Sequence, residues 1–285
     1  DPAFRERIDL LKQLMERLQP GIIAVSGGLD SRFLASMARA WNLDYRVAFV
    51  SGPHLTPLES RQGIYCSQRL GLPARRGVFS PLETPEAASN GAERCFFCKG
   101  ALIDRLRELF SDQPGLNLLD GSHASDATGY RPGLRALKEK GVHSPLAAAG
   151  LSKTDLRFCG RFLGLEAPDQ PSRACLMTRF EYGLAPDRQQ LESLGRAEDE
   201  LAEIGLREFR IRRGWQNKAW LQVDHGEAAL LNRFQDRVRD CLSRIGLSNA
   251  ELVTTHKVSG FFDHQFFQGN STGQHAPNSG FKDIG

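Results

Sequence analysis

Residues 21–38 read "GIIAVSGGLDSRFLASMA" and join three patterns that together indicate one supersecondary unit. Residues 21–25 form an apolar run short enough for a buried strand, and residues 32–41 have helical spacing. Between them lies "SGGLDS", residues 26–31, which we call the glycine loop. A turn from a strand into a helix leaves unpaired backbone N–H groups at the start of the helix, and glycines let a ligand approach them. The stretch therefore predicts an anion site between a strand and a helix.

Further apolar runs indicate that this unit belongs to a parallel sheet. "YRVAFV" at 45–50 and "LNLLDG" at 116–121 are typical of buried strands. Helix-length segments such as residues 97–110 separate the runs, so we predict an α/β fold in which helices cover a parallel sheet. Ligands of such sheets bind outside the carboxyl ends of the strands. The glycine loop and the segments 51–57 and 120–126 are therefore expected to converge on one crevice.

The carboxy-terminal part of the chain has a different pattern, and we predict a second, smaller α+β domain there. Two alternating strands, one amphipathic helix and a third strand are predicted at residues 207–213, 218–223, 226–247 and 250–258. The boundary is placed near residue 178, which gives domains of residues 1–178 and 179–285. The polar, glycine-rich end of the second domain is expected to be a loosely held, flexible tail.

Composition places the chain among ordinary globular proteins. Of its 285 residues 40% are hydrophobic and 25% are charged. No window approaches the roughly 18 consecutive apolar residues of a membrane span, and the start lacks the pattern of a secretory signal. We therefore expect a cytoplasmic protein that does not bind membranes. With 37 basic against 34 acidic residues, the charge is too balanced to predict a general nucleic-acid binder.

Six cysteines are too few for a disulfide framework in a chain of this length. Only Cys95 and Cys98 are close together, in "ERCFFCKG". This spacing is compatible with half of a zinc site, a redox pair, part of an iron–sulfur cluster, or two structural cysteines on a helix. No second pair with this spacing completes a four-thiolate zinc site, and the residues alone leave the alternatives open.

The glycine loop has neither the three spaced glycines of dinucleotide sites nor the terminal lysine of the Walker loop. "SGGLDS" resembles instead the pyrophosphate loop (PP-loop) of the ATP pyrophosphatases, which split ATP between its α and β phosphates. The resemblance implies a PP-loop domain of the adenine nucleotide alpha hydrolase-like type, which uses ATP and Mg²⁺. It also implies a set of nucleotide-binding residues, namely Ser26, Gly27, Gly28, Asp30, Ser31, Ser51, Gly121 and Lys153.

Longer segments resemble one branch of that superfamily. "ERCFFCKG", "DQPSRACLMTRFEYG" and "FRIRRG" stand in the order found in the ATP-dependent sacrificial sulfur transferases, the LarE family of nickel-pincer cofactor biosynthesis, and the resemblance covers most of the chain. It implies that a carboxylate of a pyridinium mononucleotide is adenylylated, pyrophosphate leaves, and a cysteine gives up its sulfur. In cluster-bearing relatives an iron–sulfur cluster supplies sulfide instead.

The same resemblance points to Cys175, in "ACLMTR", as the sulfur donor. We call residues 171–179 the cysteine segment. Arg173 and Arg179 flank Cys175 and are expected to favour its thiolate, which is the nucleophilic form, so Arg179 is a candidate catalytic residue. A buried, inert cysteine is the alternative, because free cysteine often behaves as a small hydrophobic residue.

The resemblance implies that Asp30 and Asp126 bind Mg²⁺. Where the family has an asparagine and two adjacent acidic residues, this chain has His123 and Ser125 at two of the places, and Asp126 alone keeps a carboxylate. The ending "VSGFFDHQFFQGNSTG" also departs from the family's Gly-Ser-rich tail. These departures leave the second metal ligand and the substrate preference open.

Arg210 and Arg212 alternate in a predicted strand, so both side chains are expected on one face of a sheet. Two neighbouring guanidinium groups suit a substrate phosphate, which makes the pair a candidate substrate-binding site. Exposed arginines on a solvated face are the alternative.

Two other functions stay open from the sequence. The first is thiolation of tRNA by the same loop chemistry, with Cys95 and Cys98 as persulfide or cluster ligands; the balanced charge disfavours it. The second is a nucleotide-binding sensor or partner protein without turnover, which the departures at His123 and Ser125 suggest. The expected partners are a small carboxylate nucleotide and a second copy of the chain in a homo-oligomer.

Overall fold

A computed structural model describes residues 2–127, 131–171, 174–256 and 258–263. Its strands are β1 Gly21–Ala24, β2 Tyr45–Ser51, β3 Ala74–Val78, β4 Asn117–Leu119, β5 Phe209–Arg213, β6 Ala219–Asp224 and β7 Glu251–Thr255. Its α-helices are α1 Pro2–Leu18, α2 Leu29–Ala40, α3 Pro57–Arg69, α4 Pro85–Ala88, α5 Arg94–Glu108, α6 Pro132–Glu139, α7 Pro145–Ala148, α8 Lys153–Phe162, α9 Arg188–Glu203, α10 Ala228–Arg233 and α11 Gln235–Arg244. Short 3₁₀ turns lie at Pro81–Glu83, Ala124–Ala127, Leu176–Arg179 and His225–Glu227.

Strands β1 to β4 form a parallel sheet in the order β3-β2-β1-β4, which confirms the predicted α/β class. Strand β1 pairs with β2 on one side and with β4 on the other, so that Gly21 lies opposite Tyr45 and Asn117. The chain runs from β1 to β2 and β3 on one side and then crosses to β4 on the other side of β1, so the strand order reverses between β1 and β4 and a crevice is expected at their carboxyl ends. The glycine loop begins at this crevice.

The two faces of β1 contribute to two different cores. Ile23 packs with Leu11 of α1 and Phe33 of α2, whereas Ile22 packs with Ile103 of α5 on the other face. Both isoleucines are buried. A strand covered by helices on both faces is apolar along its whole length, which is why residues 21–25 form an uninterrupted apolar run.

Strand β3 has no counterpart among the predicted strands. Its sequence "ARRGV" has no buried side chain, because β3 lies at the edge of the sheet and pairs only with β2. The Arg75 guanidinium forms an ion pair with Asp112 and lies 4.7 Å from the centroid of the Phe110 ring. An edge strand needs less apolar surface than a central one, so hydrophobic periodicity does not detect it.

The second sheet has the order β5-β6-β7, with β5 antiparallel and β7 parallel to β6. The single helix expected over residues 226–247 is wrong, because α10 and α11 are separated at Phe234. That residue has φ −118° and ψ 24°, outside helical values, and its ring packs against the core of the second sheet. Packing of this ring interrupts an otherwise continuous amphipathic pattern.

Helix α9 packs between α3, which belongs to the region of the parallel sheet, and the core of the second sheet. It contacts α3, where the Asp199 carboxylate accepts a hydrogen bond from the Leu58 amide at 2.7 Å, and it carries Leu191 and Leu194 into the core of the second sheet. The domain boundary near residue 178 stays a prediction. Within the described ranges, no helix combines the length and apolar character needed to cross a bilayer.

Candidate active site

The glycine loop turns sharply from β1 into α2. Gly27 has a φ of 78°, in the left-handed region that favours glycine. The Gly28 amide donates to Ser26 Oγ at 3.3 Å, and the Ser26 amide donates to Ser31 Oγ at 3.2 Å. The N-cap of α2 is Gly28, which has no side chain to cap the first turn. The amides at the start of α2 therefore suit an external anion, as the sequence predicts.

Lys153 reaches the glycine loop from α8. Its Nζ lies 2.7 and 2.9 Å from the two carboxylate oxygens of Asp30, and both side chains are partly exposed. Lys153 is the first residue of α8, whose N-terminus is fixed by a capping box between Ser152 and Asp155. The structure thus brings together two predicted nucleotide-binding residues that are far apart in sequence.

The segment after β4 approaches the same loop closely. A side chain at Gly121 would place its Cβ 2.9 Å from the Ser31 nitrogen, so only glycine allows this approach. Asp126 accepts a hydrogen bond from the His123 amide at 3.0 Å and one from Arg131 at 2.7 Å. These contacts fold the segment into a turn that faces the glycine loop.

The two departures from the family pattern have separate positions in this turn. The Ser125 hydroxyl accepts a hydrogen bond from the Lys153 amide at 3.3 Å, and so it supports the start of α8. The His123 ring is buried, with Nδ1 3.4 Å from the Asp126 carboxylate. Neither side chain replaces a lost carboxylate.

A cavity of about 260 Å³, which we call the loop cavity, lies at the carboxyl ends of β1, β2 and β4. Five of the predicted nucleotide or metal residues line it: Ser26, Asp30, Ser31, Gly121 and Asp126. The residues Gly27, Gly28 and Ser51 do not line it. Ser51 is the last residue of β2, and its backbone carbonyl accepts a hydrogen bond from the Phe79 amide at 2.9 Å. Lys153 does not line the cavity itself but forms an ion pair with Asp30, which does.

His54 and Lys99 also line the loop cavity, and motif reasoning missed both. Burial, followed by the charge of Lys99, lowers the pKa of His54 to about 4, so the imidazole is neutral at physiological pH. Its Nδ1 is buried without a hydrogen-bond partner in the described part of the chain. The expected convergence of segment 51–57 on the crevice is the signal that could have found His54.

The cysteine segment is tied to the same crevice. The Leu176 amide donates to the His54 carbonyl at 2.9 Å, and the Thr178 hydroxyl donates to the Cys175 carbonyl at 2.7 Å. Burial raises the pKa of the Cys175 thiol to about 11, although Arg94 and Arg179 act in the opposite direction. Arg179 therefore favours the thiolate in the expected direction, but burial outweighs its effect in this conformation. Arg173 lies outside the described residues.

Arg179 makes a buried, bidentate ion pair with Glu198. Its Nε and Nη2 lie 2.8 Å from the two Glu198 oxygens, and its Nη1 donates to the Ala174 carbonyl at 3.0 Å. Burial opposes both charges, but their mutual attraction outweighs it, so the pKa of Arg179 is raised and that of Glu198 is lowered. In this arrangement Arg179 holds the shape of the cysteine segment, and Glu198 neutralises the charge of Arg179.

Three thiols share one neighbourhood. Cys95 and Cys98 lie in the first two turns of α5, with Cys95 exposed and Cys98 half-buried. Burial, and then the charges of Cys175 and Cys95, raise the pKa of Cys98. Among the residues that the structure describes, no three Cys, His, Asp or Glu side chains are arranged to hold a metal ion. The zinc, cluster and redox interpretations of the pair stay predictions.

Arg210 and Arg212 lie in β5, and both are buried rather than exposed on a solvated face. Arg212 donates to the carbonyls of Thr178 at 2.8 Å and Val258 at 2.7 Å. Burial, and then the charges of Arg179 and Arg210, lower the pKa of Arg212 to about 9. An anion placed beside these guanidinium groups would offset that penalty.

The two arginines line a cavity of about 810 Å³, which we call the large cavity. Cys95 and Thr178 line it as well, so it lies beside both the cysteine pair and the cysteine segment. Lys99, Ser122 and Asp126 line the large cavity and the loop cavity together. The two cavities are therefore neighbours that share one wall.

Comparison with known proteins identifies relatives that extend over nearly the whole chain, although no family model matches. An uncharacterized protein of Synechocystis sp. is 32% identical over 259 residues, which are 90% of this chain and 92% of that protein. The pyridinium-3,5-bisthiocarboxylic acid mononucleotide synthase of Lactiplantibacillus plantarum is 27% identical over 235 residues, 81% of this chain and 84% of the synthase. An uncharacterized protein of Methanocaldococcus jannaschii is 24% identical over 238 residues, 83% of this chain and 91% of that protein. The chain therefore belongs to one family with the Synechocystis protein, and its similarity to the synthase supports a LarE-like family.

Proposed function

We propose that this chain is an enzyme that uses ATP to activate a carboxylate of a pyridinium mononucleotide and then replaces one carboxylate oxygen with sulfur from Cys175. One of its relatives is named a pyridinium-3,5-bisthiocarboxylic acid mononucleotide synthase, and this name supports a pyridinium mononucleotide as substrate and a thiocarboxylate as product. The observation that carries the proposal is the wall shared by the two cavities, formed by Lys99, Ser122 and Asp126. A nucleotide in the loop cavity and a carboxylate in the large cavity would meet at this wall.

The loop cavity is assigned to ATP. The amides at the start of α2 and the Ser26 and Ser31 hydroxyls would hold the phosphates, and Lys153 would exchange part of its contact with Asp30 for a phosphate oxygen. Asp30 and Asp126 fit Mg²⁺, because carboxylates are its usual protein ligands and both line this cavity. Bound Mg²⁺ would spread the negative charge of the leaving pyrophosphate.

The large cavity is assigned to the mononucleotide. Arg210 and Arg212 are buried cations in its wall, and a substrate phosphate beside them would regain the electrostatic energy that burial costs them. Orientation of the substrate by its phosphate would direct a ring carboxylate toward the shared wall. The cysteine segment adjoins this cavity through Ala174 and Thr178, on either side of Cys175.

The proposed steps balance in atoms and electrons. A substrate carboxylate oxygen attacks the α-phosphorus of ATP and pyrophosphate leaves; the Cys175 thiolate then attacks the acyl carbon and AMP leaves. A base removes the proton from the Cys175 Cα, the Cβ–S bond breaks, and its electron pair stays on sulfur. The thiocarboxylate product leaves and dehydroalanine remains. Because burial raises the pKa of Cys175, the thiol must lose its proton in the loaded enzyme rather than in the free one.

The test is the intact mass of the protein before and after incubation with ATP, Mg²⁺ and the pyridinium dicarboxylate mononucleotide. Conversion of one thiol to dehydroalanine removes about 34 Da, and peptide mapping should place the loss at Cys175. Cys175→Ser is the matched control, because it should still release pyrophosphate with the substrate and show no loss of mass.

Two outcomes would contradict the proposal. Pyrophosphate release that requires tRNA, with no change of mass, would indicate RNA thiolation. Binding of ATP without hydrolysis, in the presence of every substrate, would indicate a sensor.

A further inference from the structure

A third cavity lies away from the proposed reaction. It has a volume of about 480 Å³, and we call it the rear cavity. Residues of α2 and α3 and the segment 163–166 line it. None of its lining residues lines the loop cavity or the large cavity. Its volume is within the usual range for pockets that bind small molecules, roughly 300–1,000 Å³.

A buried guanidinium with an unused donor forms part of its wall. Arg32 is only 5% exposed; its Nε donates to the Gly28 carbonyl at 3.3 Å and its Nη1 donates to the Glu166 carbonyl at 2.7 Å. Its Nη2 is buried and has no hydrogen-bond partner within the described ranges. An unsatisfied buried donor on a charged group is costly, so this nitrogen indicates a place for an acceptor from outside the chain.

The remaining charged residues of the rear cavity are mainly basic. Arg39 and Arg69 are exposed and stand at its rim, and Glu166 is the only acidic residue among the described lining residues. Three arginines against one glutamate leave a formal charge of 3 − 1 = +2. Both carbonyl partners of Arg32 are neutral, so its charge is not compensated by direct contact with a carboxylate oxygen.

We propose that the rear cavity is a binding site for a small phosphorylated molecule, with Arg32 at its base and Arg39 and Arg69 at its rim. A phosphate monoester carries close to two negative charges at neutral pH, which matches the formal charge of the lining residues. Guanidinium groups bind phosphate oxygens through paired N–H donors, and the free Nη2 of Arg32 supplies one such donor. The proposal does not rest on the proposed function, although Arg32 also contacts the Gly28 carbonyl of the glycine loop.

Cys66 offers a local reporter of this site. It lines the rear cavity, is half-buried, and lies within the electrostatic range of Arg32. Iodoacetate carries a negative charge and iodoacetamide does not, while both react only with the thiolate. The ratio of their rates at Cys66 therefore measures the attraction of the cavity for an anion, whatever the pKa of the thiol. Neither reagent requires ATP or turnover.

The experiment measures this ratio by peptide mass spectrometry in the full-length protein. We expect the double variant Arg39→Gln/Arg69→Gln to lower the ratio at Cys66 by roughly tenfold, because local positive charge raises the encounter rate of anions by about that factor or more. The control variant Arg188→Gln/Arg239→Gln removes two exposed arginines elsewhere and should leave the ratio unchanged. Both variants change exposed side chains, and a thermal melt checks that each is folded.

Inorganic phosphate is the probe for binding. At constant ionic strength, phosphate should slow the reaction of iodoacetate with Cys66 more than chloride does, and it should lose this effect in Arg39→Gln/Arg69→Gln. A ratio at Cys66 that is the same in the wild type and in that variant would overturn the proposal. Equal protection by phosphate and chloride would overturn it as well, because it would indicate charge screening alone.

Discussion

The glycine loop and the cysteine segment face one crevice but are held by different kinds of ion pair. At the glycine loop, Lys153 and Asp30 are both partly exposed, and each retains access to solvent. In the cysteine segment, Arg179 and Glu198 are 3% and 7% exposed and satisfy each other through two hydrogen bonds. A partly exposed pair can exchange partners at little cost when a ligand arrives, whereas a buried pair cannot separate without leaving an uncompensated charge.

This difference suggests a division of roles. The glycine loop is suited to contacts that form and break with each nucleotide. The cysteine segment is suited to holding one backbone shape around Cys175 while its surroundings change. The following predictions test whether the two regions differ in this way.

The largest effect is expected for Glu198→Ala, which leaves the Arg179 charge buried and also removes the acceptor of the Ile211 amide. The free energy of unfolding should fall by about 3–5 kcal/mol, measured by urea denaturation. Glu192→Ala, also in α9, removes only an exposed contact with Arg188 and should change stability by about 0–1 kcal/mol. Equal losses in the two variants would show that the buried pair has no special role.

Lys153→Met should affect activity far more than stability. Because its ion pair is partly exposed, the free energy of unfolding should change by about 1 kcal/mol or less. Under the proposed function, ATP-dependent pyrophosphate release should fall roughly 100- to 1,000-fold, as when one donor to a transition-state oxygen is removed. Lys138→Met, at an exposed site in α6, is the control. Unchanged release in Lys153→Met would remove this lysine from the candidate site.

The raised pKa of Cys175 predicts a dependence of its reactivity on pH. Burial favours the neutral thiol, so alkylation should be slow at neutral pH and should increase as the pH rises toward about 11. At pH 8, a rise of the pKa from 9.0 to about 11 corresponds to a roughly 100-fold slower reaction with iodoacetamide than for the same residue in the urea-unfolded chain. Peptide mass spectrometry measures both rates. A rate that levels off near pH 8 would contradict the buried thiol.

The smallest effect is expected for Gly121→Ala, whose Cβ would meet the Ser31 backbone at 2.9 Å. The segment after β4 would have to move away from the glycine loop, and the free energy of unfolding should fall by about 1–3 kcal/mol. Gly100→Ala, in helix α5, is the matched control, because the neighbouring atom that its Cβ would meet is Lys140 Cε at 3.8 Å. Gly100→Ala should stabilise the protein by about 0.5–1 kcal/mol. Thermal melts of the two variants and the wild type measure both effects.

Local patterns in the sequence predicted the parallel sheet, the position of the glycine loop and the convergence of its neighbours. Asp30 and Lys153 are assigned to one site through the resemblance to the PP-loop superfamily, although each also stands at the start of a helix. These signals are local, since strand periodicity, glycines and helix starts depend on residues that are adjacent in the chain. Their roles in binding and catalysis, like the domain boundary and the homo-oligomer, stay predictions.

The features that could not be predicted depend on contacts between distant segments. Nothing near Arg179 in the sequence indicates that Glu198 of α9 neutralises it, and nothing near Cys175 indicates that burial outweighs the flanking charge. His54 belongs to no motif, and the sequence connects it with the crevice only through the expected position of the segment 51–57. The break at Phe234 is also set by its packing against the core of the second sheet.

Strand β3 has a further consequence for assembly. The free edge of a sheet can pair with a strand of another molecule and so begin aggregation, and charged side chains on that edge oppose such pairing. Arg75 and Arg76 lie on β3, at one edge of the parallel sheet, while His143 forms a bridge to Leu119 at the other. Both features disfavour extension of the parallel sheet by a second molecule, so the expected self-association is better served by a surface other than its edges.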